Sequence, residues 1–197
     1  LSRLLQAHTP RSVEGDVERR IDTIVSDSRQ VTPGALFVAI RGGQEEDRHH
    51  FVADAVERGA AAVVVEREDI DAGSSTRIVV DDSRLALARL AAHLHGRPAT
   101  SLRCVGVTGT NGKTTTSLVI QSILQAAGRR PAYVGTLGFD AGSGRRALAN
   151  TTPEAGQLQA LLAEARDAGC GSVCMEVSSH ALALNRELDA SEYDEAE

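Results

Sequence analysis

The sequence has one lysine, three cysteines, no tryptophan and no apolar run that approaches a membrane span. Each shortage excludes something. Without a stretch of about 20 apolar residues, no transmembrane helix is expected. The opening segment Leu1–Pro10 is too short and too polar for a signal peptide, and because it lacks an initiator Met, residues upstream are expected. Cys104, Cys170 and Cys174 are odd in number and lack metal-type pair spacing. They are therefore expected to be buried, reduced thiols of a cytoplasmic protein rather than a disulfide framework. Positive charge is also in short supply. A net charge of −6 argues against nucleic acid as a partner, since such binders usually present a basic face. No internal repeat or low-complexity segment is present.

What remains is ordinary globular composition, 42% hydrophobic and 24% charged, over 197 residues. That length accommodates one large domain or two small ones with real cores. Lysine is the exception to a strong arginine bias. Lysine and arginine total 21, yet Lys113 is the only lysine. A lysine kept on such a background points to a task that arginine cannot perform.

Strand and helix signals alternate along the chain. Leu1–His8 reads as a short helix. ALFVAI (Ala35–Ile40) and AAVVV (Ala61–Val65) are continuous apolar runs of the kind buried parallel strands show. Ile21–Val25 and Arg77–Val80 read as further strands. His49–Arg58 reads as a helix closed by Gly59, and a second helix runs from the Asp82-Ser83 cap to about His95. Gly96–Thr100 is the expected boundary. Beyond it the pattern restarts with a strand at Leu102–Val107, a glycine-rich loop, a helix to about Ala127 and a strand at Ala132–Val134. A loop through Gly142–Gly144, a helix from about Glu154 to Ala168 and a strand at Ser172–Val177 follow. This alternation implies a mostly parallel α/β architecture.

The segment VGVTGTNGKTT (Val105–Thr115) carries the clearest chemistry. A glycine turn between strand and helix aims several backbone N–H groups at one point, and the helix dipole adds partial positive charge. Gly109, Thr110, Asn111, Gly112, Lys113, Thr114 and Thr115 are thus candidate ATP-binding residues. Lys113 suits the β- and γ-phosphates, and the Thr114 hydroxyl stands where Mg²⁺ would bind. The strict phosphate-loop pattern wants glycine six residues before the lysine. Val107 occupies that position.

TGTNGKTT (Thr108–Thr115) resembles the phosphate loop of the Mur ligases and folylpolyglutamate synthetases, which use this shortened glycine spacing. Four further stretches resemble the Mur ligases. Ser26–Arg29 followed by Pro33–Ala39 is similar to their amino-terminal domain. Gly135–Gly138, Asn150–Pro153 and MEVSSHAL (Met175–Leu182) are similar to the MurE branch, which adds the third residue to the UDP-MurNAc peptide. The resemblance covers about Val25 to Arg186. It implies a small amino-terminal α/β domain that binds the UDP-MurNAc peptide, residues 1–97. The first half of a P-loop NTPase-like central domain would follow over residues 98–197. Ser26 and Ser28 would lie near the uracil. Asn150, Thr151, Thr152, Ser178 and Arg186 would contact substrate. Lys113, Glu176 and His180 would be catalytic, with Thr114, Glu176 and His180 at the Mg²⁺ site. The implied reaction is ATP-dependent. An acyl phosphate formed on UDP-MurNAc-L-Ala-D-Glu is attacked by an amino acid, meso-diaminopimelate or L-lysine.

For the residues taken alone, blander roles remain open. Ser26–Arg29 serves equally as a polar turn, and Asn150–Thr152 as an N-cap before the helix at Glu154. The family also has a carboxy-terminal domain and a carbamylated lysine, and no lysine follows Lys113. A chain ending at Glu197 is therefore expected to be inactive as a ligase. A monomer without membrane or nucleic-acid partners is expected. Another branch of the same family, or a non-catalytic nucleotide-binding remnant, are the alternative readings. A P-loop kinase or GTPase would need the full loop pattern.

Overall fold

A computed structural model describes residues 1–42 and 47–178. Two compact units emerge, the first spanning Leu1–Leu94 and the second beginning at His95. The first contains β1 (Ser12–Glu14), β2 (Thr23–Val25), β3 (Ala35–Val38), α1 (Val52–Glu57), β4 (Ala62–Val65), β5 (Thr76–Val79) and α2 (Ser83–Leu94). The second contains β6 (Arg103–Val107), α3 (Lys113–Ala126), β7 (Pro131–Gly135), β8 (Gly138–Asp140), α4 (Ala155–Asp167) and β9 (Ser172–Glu176).

In the first unit the strands lie in the order β1-β5-β4-β3-β2. β2 to β5 are parallel, and β1 runs antiparallel along β5. Every residue of β3 and β4 is buried, which explains why these strands read as unbroken apolar runs. Phe37, Val63, Val65 and Val79 pack with Val52 and Ala55 of α1 into the core of this unit. The Asp82 carboxylate accepts from the backbone N–H groups of Arg84 and Leu85, both at 2.9 Å, and so caps α2.

Two stretches read as helices are tighter at their starts. Within Leu1–His8, only a single 3-10 turn forms, at Leu4–Gln6. The segment from His49 opens as a 3-10 turn over Arg48–Phe51, because the Asp47 carboxylate accepts from the His49 N–H. β1 was not legible as a strand. It is three residues long, lies at the sheet edge and buries none of its residues.

In the second unit the order is β6-β9-β7-β8. β9 is parallel to both β6 and β7, and β8 turns back antiparallel on β7. The chain leaves β6 through α3, forms the β7–β8 hairpin, and returns through α4 to insert β9 between β6 and β7. The core gathers Ala132, Val134, Phe139, Val173 and Met175 from the strands with Leu158, Leu161 and Leu162 from α4. α3 buries only Ser117 and Gln121. Val119 and Ile123 remain exposed on it, within a shallow groove of about 460 Å³. No helix among the described residues is long and apolar enough to cross a membrane.

All three thiols are free and buried, as the odd cysteine count suggested. Burial pushes the Cys174 thiol up to about 11 and that of Cys170 above its ordinary value. The thiolate is the reactive form, so a disulfide-exchange dye at pH 8 is expected to label none of the three in the native protein and all three in denaturant. Rapid native labelling of Cys174 would contradict this placement.

Candidate active site

β6 ends at Val107, five residues form a loop, and α3 starts at Lys113. Gly109 and Gly112 both take positive φ, +144° and +81°, in the backbone region that favours glycine. Gly112 is also the N-cap of α3. Thr116 makes the first helical bond, to the Gly112 carbonyl at 2.9 Å. The amides of Lys113, Thr114 and Thr115 therefore belong to the open helix end, where N–H groups have no intrahelical acceptor and favour an anion. The Lys113 ammonium donates to the Gly109 carbonyl at 2.8 Å, across the same loop.

Val107 departs from the strict pattern because that position is still strand. It pairs with Glu176 of β9, and its carbonyl accepts from the Val177 N–H at 2.9 Å. The turn is correspondingly shorter.

The inserted strand β9 sets Glu176 beside this loop. Glu176 is 1% exposed, and among the described residues its carboxylate is held by four donors. Oε1 accepts from the Tyr133 hydroxyl and from the Thr136 N–H at 3.1 Å. Oε2 accepts from the Thr114 hydroxyl at 2.9 Å and the Thr136 hydroxyl at 3.0 Å. Burial pushes the Glu176 carboxyl up, but the bonds from Tyr133, Thr114 and Thr136 outweigh it, and the net shift is below the ordinary value. Burial, reinforced by the bond to Glu176, raises the Tyr133 phenol to about 12. At neutral pH the phenol is thus the donor and Glu176 the anion.

Asn150–Pro153 is stitched to the same strand end. Thr152 is buried, and its hydroxyl donates to the Glu176 carbonyl at 3.0 Å while accepting from the Ser178 N–H at 3.1 Å. The Thr151 and Thr136 hydroxyls lie 3.1 Å apart. Asn150 is exposed. The N-cap of α4 is Glu154, which makes no side-chain capping bond, so Asn150–Thr152 is not the cap of that helix.

Thr114, Thr151, Thr152, Glu176 and Ser178 therefore converge around one strand end, with the loop residues Gly109 to Thr115 adjoining them. His180 and Arg186 lie outside the described residues.

Ser26 and Ser28 stand in the first unit, just past the carboxyl end of β2, where parallel sheets bind ligands. Both are buried. Arg48 donates to the Ser26 carbonyl at 3.0 Å and to its hydroxyl at 2.8 Å. Hydrogen bonding from Ser28, then from Arg58, holds the Asp54 carboxyl below its ordinary value. At the same sheet end, His49 bonds Asp47 through Nδ1 at 2.6 Å and accepts from the Glu66 N–H through Nε2 at 2.9 Å.

Sequence reasoning did not single out Tyr133, Thr136 or Arg48. Thr136 lies within the Gly135–Gly138 stretch, whereas Tyr133 is a strand aromatic with no local signal of its role.

Oxygen donors alone, the Thr114 hydroxyl and one ionised carboxylate within hydrogen-bonding distance of each other, are the set a hard divalent cation prefers. Among the described residues no cluster of three His, Cys, Asp or Glu side chains forms a protein cage. Mg²⁺ fits such a sparse site because it is usually held by one or two carboxylates together with substrate phosphates.

The fold and its glycine loop define an α/β protein with a P-loop-like second unit. The chain belongs to the Mur ligase family. Residues 20–95 match the Mur ligase family catalytic domain and residues 107–196 the Mur ligase middle domain. It is 44% identical over 186 residues to the UDP-N-acetylmuramoyl-L-alanyl-D-glutamate--2,6-diaminopimelate ligase of Syntrophomonas wolfei, covering 94% of this chain and 38% of the relative. The enzyme of the same name from Geobacter sulfurreducens is 43% identical, covering 100% and 38%. A solved structure of a ligase of that name superposes with a TM-score of 0.75 at 30% identity, over 93% of this chain and 37% of the other. MurF from Thermotoga maritima in complex with ADP gives a TM-score of 0.54 at 26% identity, over 84% and 34%. The chain thus spans about 38% of the length of the curated relatives it matches.

Proposed function

We propose that this chain serves an ATP-dependent ligase that adds the third amino acid to UDP-MurNAc-L-Ala-D-Glu in peptidoglycan precursor synthesis. The observation that carries the reading is the meeting of the glycine loop, through Thr114, with the buried Glu176 carboxylate. The names of the relatives support the substrate and favour 2,6-diaminopimelate over L-lysine as the incoming amino acid. The ADP complex of the MurF neighbour supports ATP as the nucleotide.

In this reading the first unit holds the uridine end through the turn at Ser26 and Ser28. In the second, the open amides of α3 and the Lys113 ammonium receive the β- and γ-phosphates. Thr114 and Glu176 hold Mg²⁺, with His180 assigned there by resemblance. Mg²⁺ held by these residues would supply neutralisation of phosphate charge. The Asn150–Thr152 segment and Ser178, fixed to the end of β9, line the path of the muramyl peptide, with Arg186 as a further contact. A carboxylate is a poor acylating agent, so transfer of the γ-phosphoryl group from ATP, with ADP as the leaving group, converts it to an acyl phosphate. The amino group attacks this, phosphate leaves and the amine gives up a proton. The chain's part is positioning and charge neutralisation.

Calorimetric titration with UDP-MurNAc-L-Ala-D-Glu, with UDP-MurNAc-tripeptide and a folate as comparisons, tests the assignment. Preferential binding of the dipeptide form is expected. A folded sample that binds ATP but none of the muramyl nucleotides would move the chain to another branch of the family or to a remnant.

A further inference from the structure

The two oxygens of Glu176 are not equivalent. Oε1 takes its bonds from the Tyr133 phenol and the Thr136 backbone amide. Oε2 takes its bonds from two threonine hydroxyls, of Thr114 and Thr136. A backbone amide within a folded turn cannot redirect its proton. The phenol sits on a fully buried ring, with Glu176 Oε1 as its acceptor and the Leu137 backbone as a further hydrogen-bond partner that holds it in place. A threonine hydroxyl rotates freely and offers lone pairs as readily as a proton. Oε1 is therefore permanently occupied, while the partners of Oε2 can yield to a cation.

The surroundings are built for this bond. A Cβ at Gly135 would collide with both Glu176 Oε1 and the Tyr133 hydroxyl, so the bare glycine leaves room for the two to meet. The guanidinium of Arg145 lies 5.1 Å from the centre of the Tyr133 ring and covers it. β7 and β9 are parallel neighbours, with Tyr133 opposite Cys174 and Val134 opposite Met175. The register thus fixes the height of the phenol relative to the carboxylate.

We propose that Tyr133 is a positioning residue of the cation site: with the Thr136 amide it occupies Oε1 of Glu176 and so presents Oε2, beside Thr114, as the single carboxylate oxygen offered to Mg²⁺. The inference rests on the nucleotide-site reading above. Its content is that Glu176 binds through one oxygen and that Tyr133 selects which. Partners behind a metal ligand commonly set its affinity, and their loss costs roughly 10–100-fold.

The test measures ATP affinity by calorimetry in Mg²⁺ and in excess EDTA, for wild type and Tyr133→Phe, with thermal melting of each. The phenylalanine keeps the ring and the Arg145 contact, and removes the hydroxyl with its bond to Glu176 and its bond from the Leu137 backbone. The thermal melts and the EDTA arm account for the latter. Expected are a wild-type affinity strengthened by Mg²⁺, a roughly tenfold smaller strengthening in Tyr133→Phe, and equal affinities in EDTA. In a Glu176→Gln background, Tyr133→Phe is expected to change nothing further. A full Mg²⁺ strengthening in Tyr133→Phe overturns the proposal, as does an equal loss with and without Mg²⁺, which would mark a merely structural bond. An additional loss on top of Glu176→Gln overturns it too. A wild type whose ATP affinity ignores Mg²⁺ sinks the nucleotide-site reading itself and this inference with it.

Discussion

Gly135→Ala is expected to destabilise the second unit by about 3 kcal/mol or more and to abolish the Mg²⁺-dependent part of ATP binding. Backbone conformation is not the reason, since Gly135 is absent from the positive-φ glycines. The cause is steric. An added methyl group would overlap Glu176 Oε1, Glu176 Cδ and the Tyr133 hydroxyl. These are side-chain ends, which elsewhere would swing aside at little cost. Here both are fully buried and bonded to each other, and the carboxylate is also bonded to Thr136 and Thr114. Moving them costs overpacking of about 1–3 kcal/mol. It also breaks bonds to a buried anion, each worth about 1.5–3 kcal/mol. For a domain of this size, 3 kcal/mol corresponds to a fall in Tm of more than about 10 °C. Gly171→Ala is the control. Nothing lies within 4 Å of a Cβ there, and its φ is not positive. It is expected to melt within about 4 °C of wild type, since substitutions away from such contacts usually stay within about 0.5 kcal/mol. Equal melting of Gly135→Ala and wild type would show that the carboxylate is not seated as described.

The strands that were legible are those whose burial writes itself into the sequence. β3, β4 and β9 are buried along their whole length and read as apolar runs ending in punctuation. β1 and β8 were not legible. Each has three residues and exists because a neighbouring strand offers its edge, Arg77–Val79 to one and Tyr133–Gly135 to the other. The turn between β6 and α3 was legible because its glycines sit where the turn needs positive φ. Glu176 was named in the sequence through the likeness of the Met175–Leu182 stretch, and its place at the end of β9 beside the glycine loop is what the structure adds. Tyr133 and Thr136 were not, because their roles depend on which strand lies beside β7. That neighbour is β9, which arrives about 40 residues later and inserts against the sequence order. Local pattern carries turns and buried runs, whereas cross-strand partners are a property of topology.

Lys113→Ala is expected to weaken ATP binding by roughly a hundredfold or more while leaving the melting temperature without nucleotide nearly unchanged. The two expectations have separate grounds. The bond from Lys113 to the Gly109 carbonyl is exposed, and such a bond contributes on the order of 1 kcal/mol or less to stability. Toward a triphosphate, the same ammonium would make charge-assisted bonds of about 1.5–3 kcal/mol each, and a loss near 3 kcal/mol is about a hundredfold in affinity. The sharper variant is Lys113→Arg. It preserves the charge but replaces a compact ammonium with a planar fork on a loop of five residues between β6 and α3. If charge alone matters, the arginine variant binds nearly as well as wild type. If fit within the loop matters, it binds nearly as poorly as alanine, which is the expected result. That outcome would also explain why the only lysine in a chain otherwise furnished with arginine stands at position 113. Calorimetry on the three proteins in Mg²⁺ decides between them. Wild-type affinity in Lys113→Ala would remove the lysine from the nucleotide site altogether.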